Sequence, residues 1–322
     1  MKTIVIKFGG SSLADPGKIR RAAAMVLAAR AGGRMPVAVV SAPADSTDDL
    51  LKLAALTGGP RISARETDAL LAAGEQFSAA LLAMAIEAGG GRAVSLTGAQ
   101  AGLRTNANFS TAAVKSADVR RLRKELAAGR VPVVAGFQGI SPGGDITTLG
   151  RGGSDLTAVV LARALSSAVC EFRTDVKGIY TAHPAIVPQA RKIKEISYAE
   201  VIALAGLGAE VRQLRAITYA KRYSIPLHLR SSFHDEPGTM VTADGGKPGV
   251  TCLSIKREGR LALVSAVGRG LRRVDADKTL DAARAAGLRA ACRSVTGRAI
   301  TLVIAAPEGE DLLRALHTAL FG

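Results

Sequence analysis

The chain has 322 residues, 48% hydrophobic and 22% charged, with 43 Lys and Arg against 27 Asp and Glu for a formal charge of +16. Such a composition excludes a fibrous or wholly disordered chain, and the length suggests about two domains at roughly 100–200 residues each. Tryptophan is absent and aromatics are 3%, so Ala, Leu and Val must fill the interior. In chain order, Thr3–Phe8 reads as a short apolar strand. Lys18–Arg30 reads as a helix with Ile19, Ala22, Ala23, Val26 and Leu27 on one face. Val37–Ser41 is a second strand, and Arg65–Ala88 a long helix rich in Ala and Leu. Ala93–Leu96 and Val131–Ala135 are further buried strands, followed by a helix at Ser154–Leu165 and a strand at Ala168–Phe172. Continuous apolar strands alternating with helices predict an α/β fold, a mainly parallel sheet sandwiched by helices.

At Gly245-Gly246-Lys247-Pro248-Gly249 the composition changes to that of a linker. Beyond it, Leu261–Val267, a helical Asp277–Ala286, Arg289–Ser294, Ala299–Ala305 and a helix at Gly309–Leu320 predict a small α+β ferredoxin-like module, short of one strand.

No apolar run reaches the ~18 residues of a membrane span. Residues 1–7 enter a strand without a signal-peptide core. Cys170, Cys252 and Cys292 are odd in number and widely spaced, which suggests neither a zinc site nor a disulfide framework. The expectation is a cytoplasmic protein. The charge admits two readings, a docking surface for an acidic partner or nucleic acid, or a solvated arginine-rich exterior. The cations are scattered and no aromatic-interleaved basic patch occurs, which favours the second and speaks against nucleic acid.

Neither a P-loop nor a dinucleotide-binding fingerprint is present. Instead, glycine-rich segments stand at the carboxyl ends of predicted strands, where open α/β sheets bind ligands. In Lys7-Phe8-Gly9-Gly10-Ser11-Ser12, adjacent glycines let backbone N–H groups approach an anion, and Lys7 offers a cation for a transferring phosphate. The alternative is a tight turn with a solvated lysine. Leu149-Gly150-Arg151-Gly152-Gly153-Ser154-Asp155 enters a helix. Either Ser154 or Asp155 simply caps it, or the turn and Arg151 receive a carboxylate or phosphate. Thr174-Asp175-Val176-Lys177-Gly178-Ile179-Tyr180 offers Asp175 and Tyr180 to a nucleotide, or is a plain turn.

At these residues the chain resembles the aspartokinases of the amino acid kinase fold. The similarity also runs through Gly74-Glu75-Gln76-Phe77-Ser78, Thr97 to Gly102, Gly136-Phe137-Gln138-Gly139, Arg230-Ser231-Ser232-Phe233 and Pro237-Gly238-Thr239. The resemblance implies ATP-dependent phosphorylation of the L-aspartate side chain to 4-phospho-L-aspartate, with Mg²⁺ accompanying ATP. It places Lys7, Gly9 and Gly10 at the phosphates, and Ser41, Thr47, Glu75, Arg151 and Ser154 around the amino acid. Thr174, Asp175 and Tyr180 fall in its nucleotide loop. It divides the chain into a kinase domain at 1–244, a linker at 245–250 and an ACT-like module at 251–322, through which a homodimer is expected.

The nucleotide side departs from the family pattern. Arg173 stands for an aromatic, Lys177 and His183 for acids, Ala185 for an arginine, and Glu210 for a lysine near the phosphates. A reversed charge beside a polyanion costs several kcal/mol in a partly dry site unless Lys177, Arg173 or Arg212 replaces the cation. His183 reads as a loop residue rather than a metal ligand. The competing functional readings are a kinase for a related or carrier-bound acid, and a catalytically weak scaffold subunit.

Overall fold

The structure, a computed structural model, describes residues 2–208 and 214–322. In chain order its elements are β1 (Lys2–Phe8), α1 (Pro16–Ala31), β2 (Arg34–Val40), α2 (Ser46–Gly58), α3 (Ala64–Ala88), β3 (Ala93–Leu96), β4 (Leu103–Thr105), β5 (Val114–Ala117), α4 (Arg120–Ala127), β6 (Val131–Ala135), β7 (Gln138–Ile140), β8 (Ile146–Thr148), α5 (Gly153–Ala164) and β9 (Cys170–Thr174). There follow β10 (Glu195–Ser197), α6 (Tyr198–Gly206), α7 (Leu214–Tyr223), β11 (Leu227–Ser231), β12 (Thr239–Thr242), β13 (Gly249–Glu258), β14 (Leu261–Arg269), α8 (Arg273–Ala285), β15 (Ala291–Val295), β16 (Ala299–Ala305) and α9 (Gly309–Phe321). The chain divides into two compact units, Met1–Lys177 with Ile225–Glu236, and Gly178–Ser224 with Pro237–Gly322.

In the first unit a parallel sheet runs in the order β11-β9-β1-β2-β6-β3. Its central strands are apolar on both faces because helices cover both, as the sequence predicts. On one face, Ile19, Ala22, Ala23 and Val26 of α1 and Ala79, Leu82, Ala83 and Ile86 of α3 pack on Ile4, Ile6, Phe8 and Val40. The spacing of those helical residues is one stripe of a 3.6-residue period. Burying a side chain the size of Leu82 or Ile86 contributes about 1.5–3 kcal/mol. Asp15 caps α1 by accepting from the Lys18 N–H at 2.8 Å, ahead of Pro16 at the first helical position. Ser63 caps α3 in the same way through the Glu66 N–H.

Helix α3 corrects one expectation: it has the length and apolarity of a membrane span. Half of that stretch is buried inside the fold, and Asp68 and Glu75 are among its buried residues.

A second, four-stranded sheet, β5-β4-β7-β8, was not legible in the sequence. Its strands of three or four residues are too short to show an alternation. It is tied to α3 by three sets of polar contacts. Arg65 Nε donates to Asp145 at 2.8 Å, Gln138 Nε2 donates to the Ala72 carbonyl at 2.9 Å, and Asp68 reaches β8.

In the second unit β10 and β12 form a parallel pair, and Ser197 and Glu200 form a capping box at the start of α6. The antiparallel sheet β13-β14-β16-β15 packs with α8 and α9 around Val264, Ala266, Ile300, Leu302, Leu312 and Leu316. This is the α+β module predicted from the tail, with one correction. Its fourth strand is β13, which starts at Gly249 within the expected linker. The sequence hides it because only Cys252, Leu253 and Ser254 are buried before the strand runs into Lys256, Arg257 and Glu258.

Candidate functional site

Strand alternation decides where the first glycine-rich segment points its side chains. Phe8 joins the core on the α1 and α3 side. Lys7, its neighbour, therefore projects to the opposite face, where its Nζ lies 2.7 Å from Oδ1 of Asp155 in the first turn of α5. Both side chains are less than a tenth exposed. Neither Ser154 nor Asp155 makes a capping hydrogen bond to α5, so the capping alternative is not realised.

Beyond Lys7 the chain makes a tight turn. The Gly9 N–H donates to the Arg173 carbonyl at 3.1 Å, and the Ala44 N–H donates to the Gly10 carbonyl at 3.2 Å. A Cβ at Gly10 would stand 2.7 Å from the Ala42 carbonyl oxygen, so no other residue fits there. The Ser41 N–H donates to the Phe8 carbonyl at 3.2 Å, which sets the 41–44 loop against this turn.

Glu75 meets the same loop from α3. Its Oε1 accepts from the Ala42 N–H at 3.0 Å, and Oε2 is buried without a partner. Burial pushes its carboxyl up to about 7, against the Ala42 hydrogen bond and the charge of Lys7, which act the other way. Close approach is again enforced by glycine, since a Cβ at Gly74 would meet Ala42 Cβ at 2.8 Å. Thr47 is half-buried in the first turn of α2, a helix the sequence reading missed.

The second glycine-rich segment links β8 to α5. Gly150 and Gly152 both have positive φ, near 73° and 72°, and present Arg151 exposed between them. No salt bridge to Arg151 occurs among the described residues. Ser154 is buried in the first turn of α5, and Gly136 is required beneath it, since a Cβ there would meet Ser154 Cβ at 2.8 Å.

Sequence reasoning missed two carboxylates here, Asp155 as the partner of Lys7, and Asp68. Asp68 has no exposed surface and holds both the loop at Ser110 and the strand leading to Arg151. The only signal for Asp155 was its place directly after the glycine-rich run. For Asp68 there was none.

On the nucleotide side, Thr174 ends β9 and its Oγ1 accepts from the Val176 N–H at 3.3 Å, while Asp175 is exposed. Tyr180 belongs to the second unit, where it forms a bridge with Lys192. Of the three cations proposed to replace a missing lysine, Lys177 and Arg173 are engaged. Lys177 Nζ lies 3.2 Å from Glu236, and Arg173 Nε donates to Glu171 at 2.5 Å. Arg173 also shares the β-sheet face of Phe8, opposite to Lys7, by its register. Glu210 and Arg212 lie outside the described residues. His183 is an exposed loop residue whose Nδ1 accepts from the Ala185 N–H, as expected.

The sequence pattern described as "Amino acid kinase family" matches residues 2–231. The chain belongs to the amino acid kinase family. Within that family it is 50% identical over 242 residues to a protein named aspartokinase from Mycolicibacterium smegmatis and 46% identical to one from Corynebacterium glutamicum. In each case the match covers 75% of this chain and 57% of the relative, so the chain spans little more than half the length of these relatives. Among solved structures, Synechocystis aspartate kinase is 30% identical with a TM-score of 0.67, covering 99% of this chain and 69% of that one. Escherichia coli aspartokinase III, solved with aspartate and ADP, has a TM-score of 0.78, covers 100% of both chains and, at 22% identity, shows the shared fold alone.

Proposed function

We propose that this chain transfers the γ-phosphoryl group of ATP to the side-chain carboxylate of L-aspartate, giving 4-phospho-L-aspartate. The observation that carries the reading is the buried Lys7 and Asp155 pair beside a turn that only glycine can form, in a chain 50% identical over 242 residues to a protein named aspartokinase.

Phosphoryl transfer asks the protein for positioning and charge stabilisation rather than a nucleophile of its own, because the substrate carboxylate attacks in line. Lys7, oriented by Asp155, places a fixed cation for the transferring phosphoryl group. Gly9 and Gly10 give it close backbone approach. Arg151, carried on two left-handed glycines, suits the α-carboxylate of the amino acid. Ser41, Thr47 and Ser154 complete the acceptor side, and Glu75, with an unpartnered buried oxygen, suits its ammonium group. Thr174 and Asp175 would serve the nucleoside. The cramped glycine turn and the Lys7 cation fit a polyphosphate. Mg²⁺ arriving with ATP would neutralise its charge.

The sequence division into a kinase domain at 1–244, a linker at 245–250 and an ACT-like module at 251–322 belongs to the same proposal. So do the cytoplasmic setting and a homodimer formed by pairing of the tail modules. Sedimentation of the full chain tests the dimer, and a monomer defeats it. The activity is tested by incubating the protein with Mg²⁺, ATP and hydroxylamine across a panel of amino acids and other carboxylates. Aspartyl hydroxamate is the expected product. Hydroxamate from another acid would replace the acceptor, and none from any acid would overturn the enzyme reading in favour of a scaffold subunit.

A further inference from the structure

We propose that a groove on the α1 side of β1, β9 and β11 binds a small organic carboxylate with an apolar body. Arg173 leads to it. It stands where the resemblance expects an aromatic side chain, and it is turned away from Lys7 into this groove. Strands β9 and β11 pair in parallel with Glu171 opposite His228 and Arg173 opposite Arg230, so four polar side chains share one sheet face. The space in front of them is about 680 Å³, within the usual range for small-ligand sites. Beside them the lining is apolar, with half-buried Met25 of α1, Val169 and Phe233 set around Ile4 and Ile6, which lie on the same sheet face.

The charges select the ligand. Arg21, Arg34, Arg173 and Arg230 line the groove against two carboxylates, Glu171 and Asp235, an excess of two positive charges with neutral histidines. Glu171 is already saturated. Its Oε1 accepts from Arg173 Nε at 2.5 Å, and Oε2 faces His228 Nδ1 at 3.5 Å and Arg230 Nη1 at 3.7 Å. Asp235 is paired with Arg230 at 3.3 Å but its side chain is fully exposed. Among the described lining residues no unpaired buried carboxylate is left for an ammonium group, so the site suits an anion rather than an amino acid. Arginine forks receive a carboxylate in bidentate fashion, and half-buried Met25, Val169 and Phe233 take the apolar part.

The groove also backs onto the glycine turn. The Arg173 carbonyl accepts from the Gly9 N–H, and Arg173 Nη1 donates to the Ser231 carbonyl at 3.1 Å. Ser12 Oγ is 2.7 Å from Ser232 Oγ, and Arg21 Nη1 donates to the Phe233 carbonyl at 2.9 Å. A ligand that stiffens β9 and the 231–235 loop therefore stiffens the turn.

The test is calorimetric titration of the full chain with 4-phenylbutyrate, 4-phenylbutylamine and inorganic phosphate. Hydrogen exchange is followed in parallel. Phenylbutyrate is expected to bind, to weaken at least ~10-fold in Arg230→Gln, and to be blocked in Ala28→Phe, which fills the exposed end of the wall. Exchange should slow at residues 169–173 and 228–235 and at Gly9. Arg34→Gln, at the exposed rim, carries the charge test if Arg230→Gln does not fold. Absence of phenylbutyrate binding overturns the proposal, as does equal binding of the amine or an affinity unchanged in these variants. Phosphate binding as tightly as phenylbutyrate, and indifferent to Ala28→Phe, overturns the organic class. None of these readouts uses turnover, so the result stands apart from the kinase reading.

Discussion

Asp68 holds Thr148 twice, accepting from its N–H at 2.7 Å through Oδ2 and from its hydroxyl at 2.7 Å through Oδ1. The same carboxylate accepts from the Ser110 N–H at 2.9 and 3.0 Å. One fully buried side chain on α3 thereby fixes the end of β8, three residues before Arg151, and the helix that carries Glu75 seven residues on. Asp68→Ala would leave three donors without an acceptor. Unpaired buried groups cost about 1–3 kcal/mol each; with the two Thr148 donors buried and Ser110 exposed, the expected loss is at least ~2 kcal/mol in urea unfolding. Because the Arg151 loop loses its anchor, the aspartate KM should rise more than the ATP KM. Equal changes in both would assign Asp68 to stability alone.

Glu75 makes stability depend on pH in an unusual direction. Its carboxyl is raised from 4.5 to about 7 in the folded chain. The folded state thus holds the proton more tightly than the unfolded one. The contribution is fully present below ~4.5 and is lost as pH rises through 7, by ~3 kcal/mol in total. Glu75→Gln removes this dependence. The stability difference between wild type and Glu75→Gln, measured by denaturant unfolding, should shift in favour of the variant between pH 4.5 and 7. A flat difference would show that Glu75 ionises normally.

Lys7 and Asp155 separate folding from catalysis. Lys7→Met alone strands a buried carboxylate and should cost ~3–5 kcal/mol. Adding Asp155→Asn removes the second charge and should recover much of that stability. Turnover in the hydroxamate assay should stay reduced about 10²–10³-fold in the double variant, the scale for one lost electrostatic contact. Recovery of both properties would make the pair structural.

Arg151 is presented to solvent with no ion pair to break among the described residues. Arg151→Ala should therefore leave stability within about 0.5 kcal/mol while lowering kcat/KM for aspartate by roughly 10²-fold or more. An unchanged kcat/KM would remove it from the acceptor site.

Lys177 and Arg173 are each held by a carboxylate, Glu236 and Glu171. Neither is then available to offset Glu210. Glu210→Lys should lower the ATP KM or raise kcat by about tenfold, equivalent to ~1.4 kcal/mol. A slower variant would mean that Glu210 points away from the phosphates.

What the sequence determined by itself was local and periodic. Val5, Val39 and Val133 lie in apolar runs that strands bury from both sides, and Ile19, Val26, Leu82 and Ile86 fall on helical stripes. Gly10 marks backbone where no side chain fits, and Gly150 and Gly152 mark a left-handed turn that side chains rarely adopt. Those signals sufficed for the α/β sheet, the α+β tail and the place of the glycine turn after β1. The partnerships were decided only by tertiary structure. Lys7 finds Asp155 across 148 residues, Asp68 finds Thr148 across 80, and Arg173 is drawn to Glu171 on the face away from Lys7. A charge in the sequence carries no direction. Which face of a strand it takes, and which opposite charge the fold brings within reach, is settled when sheets and helices pack and every buried ion must find a partner.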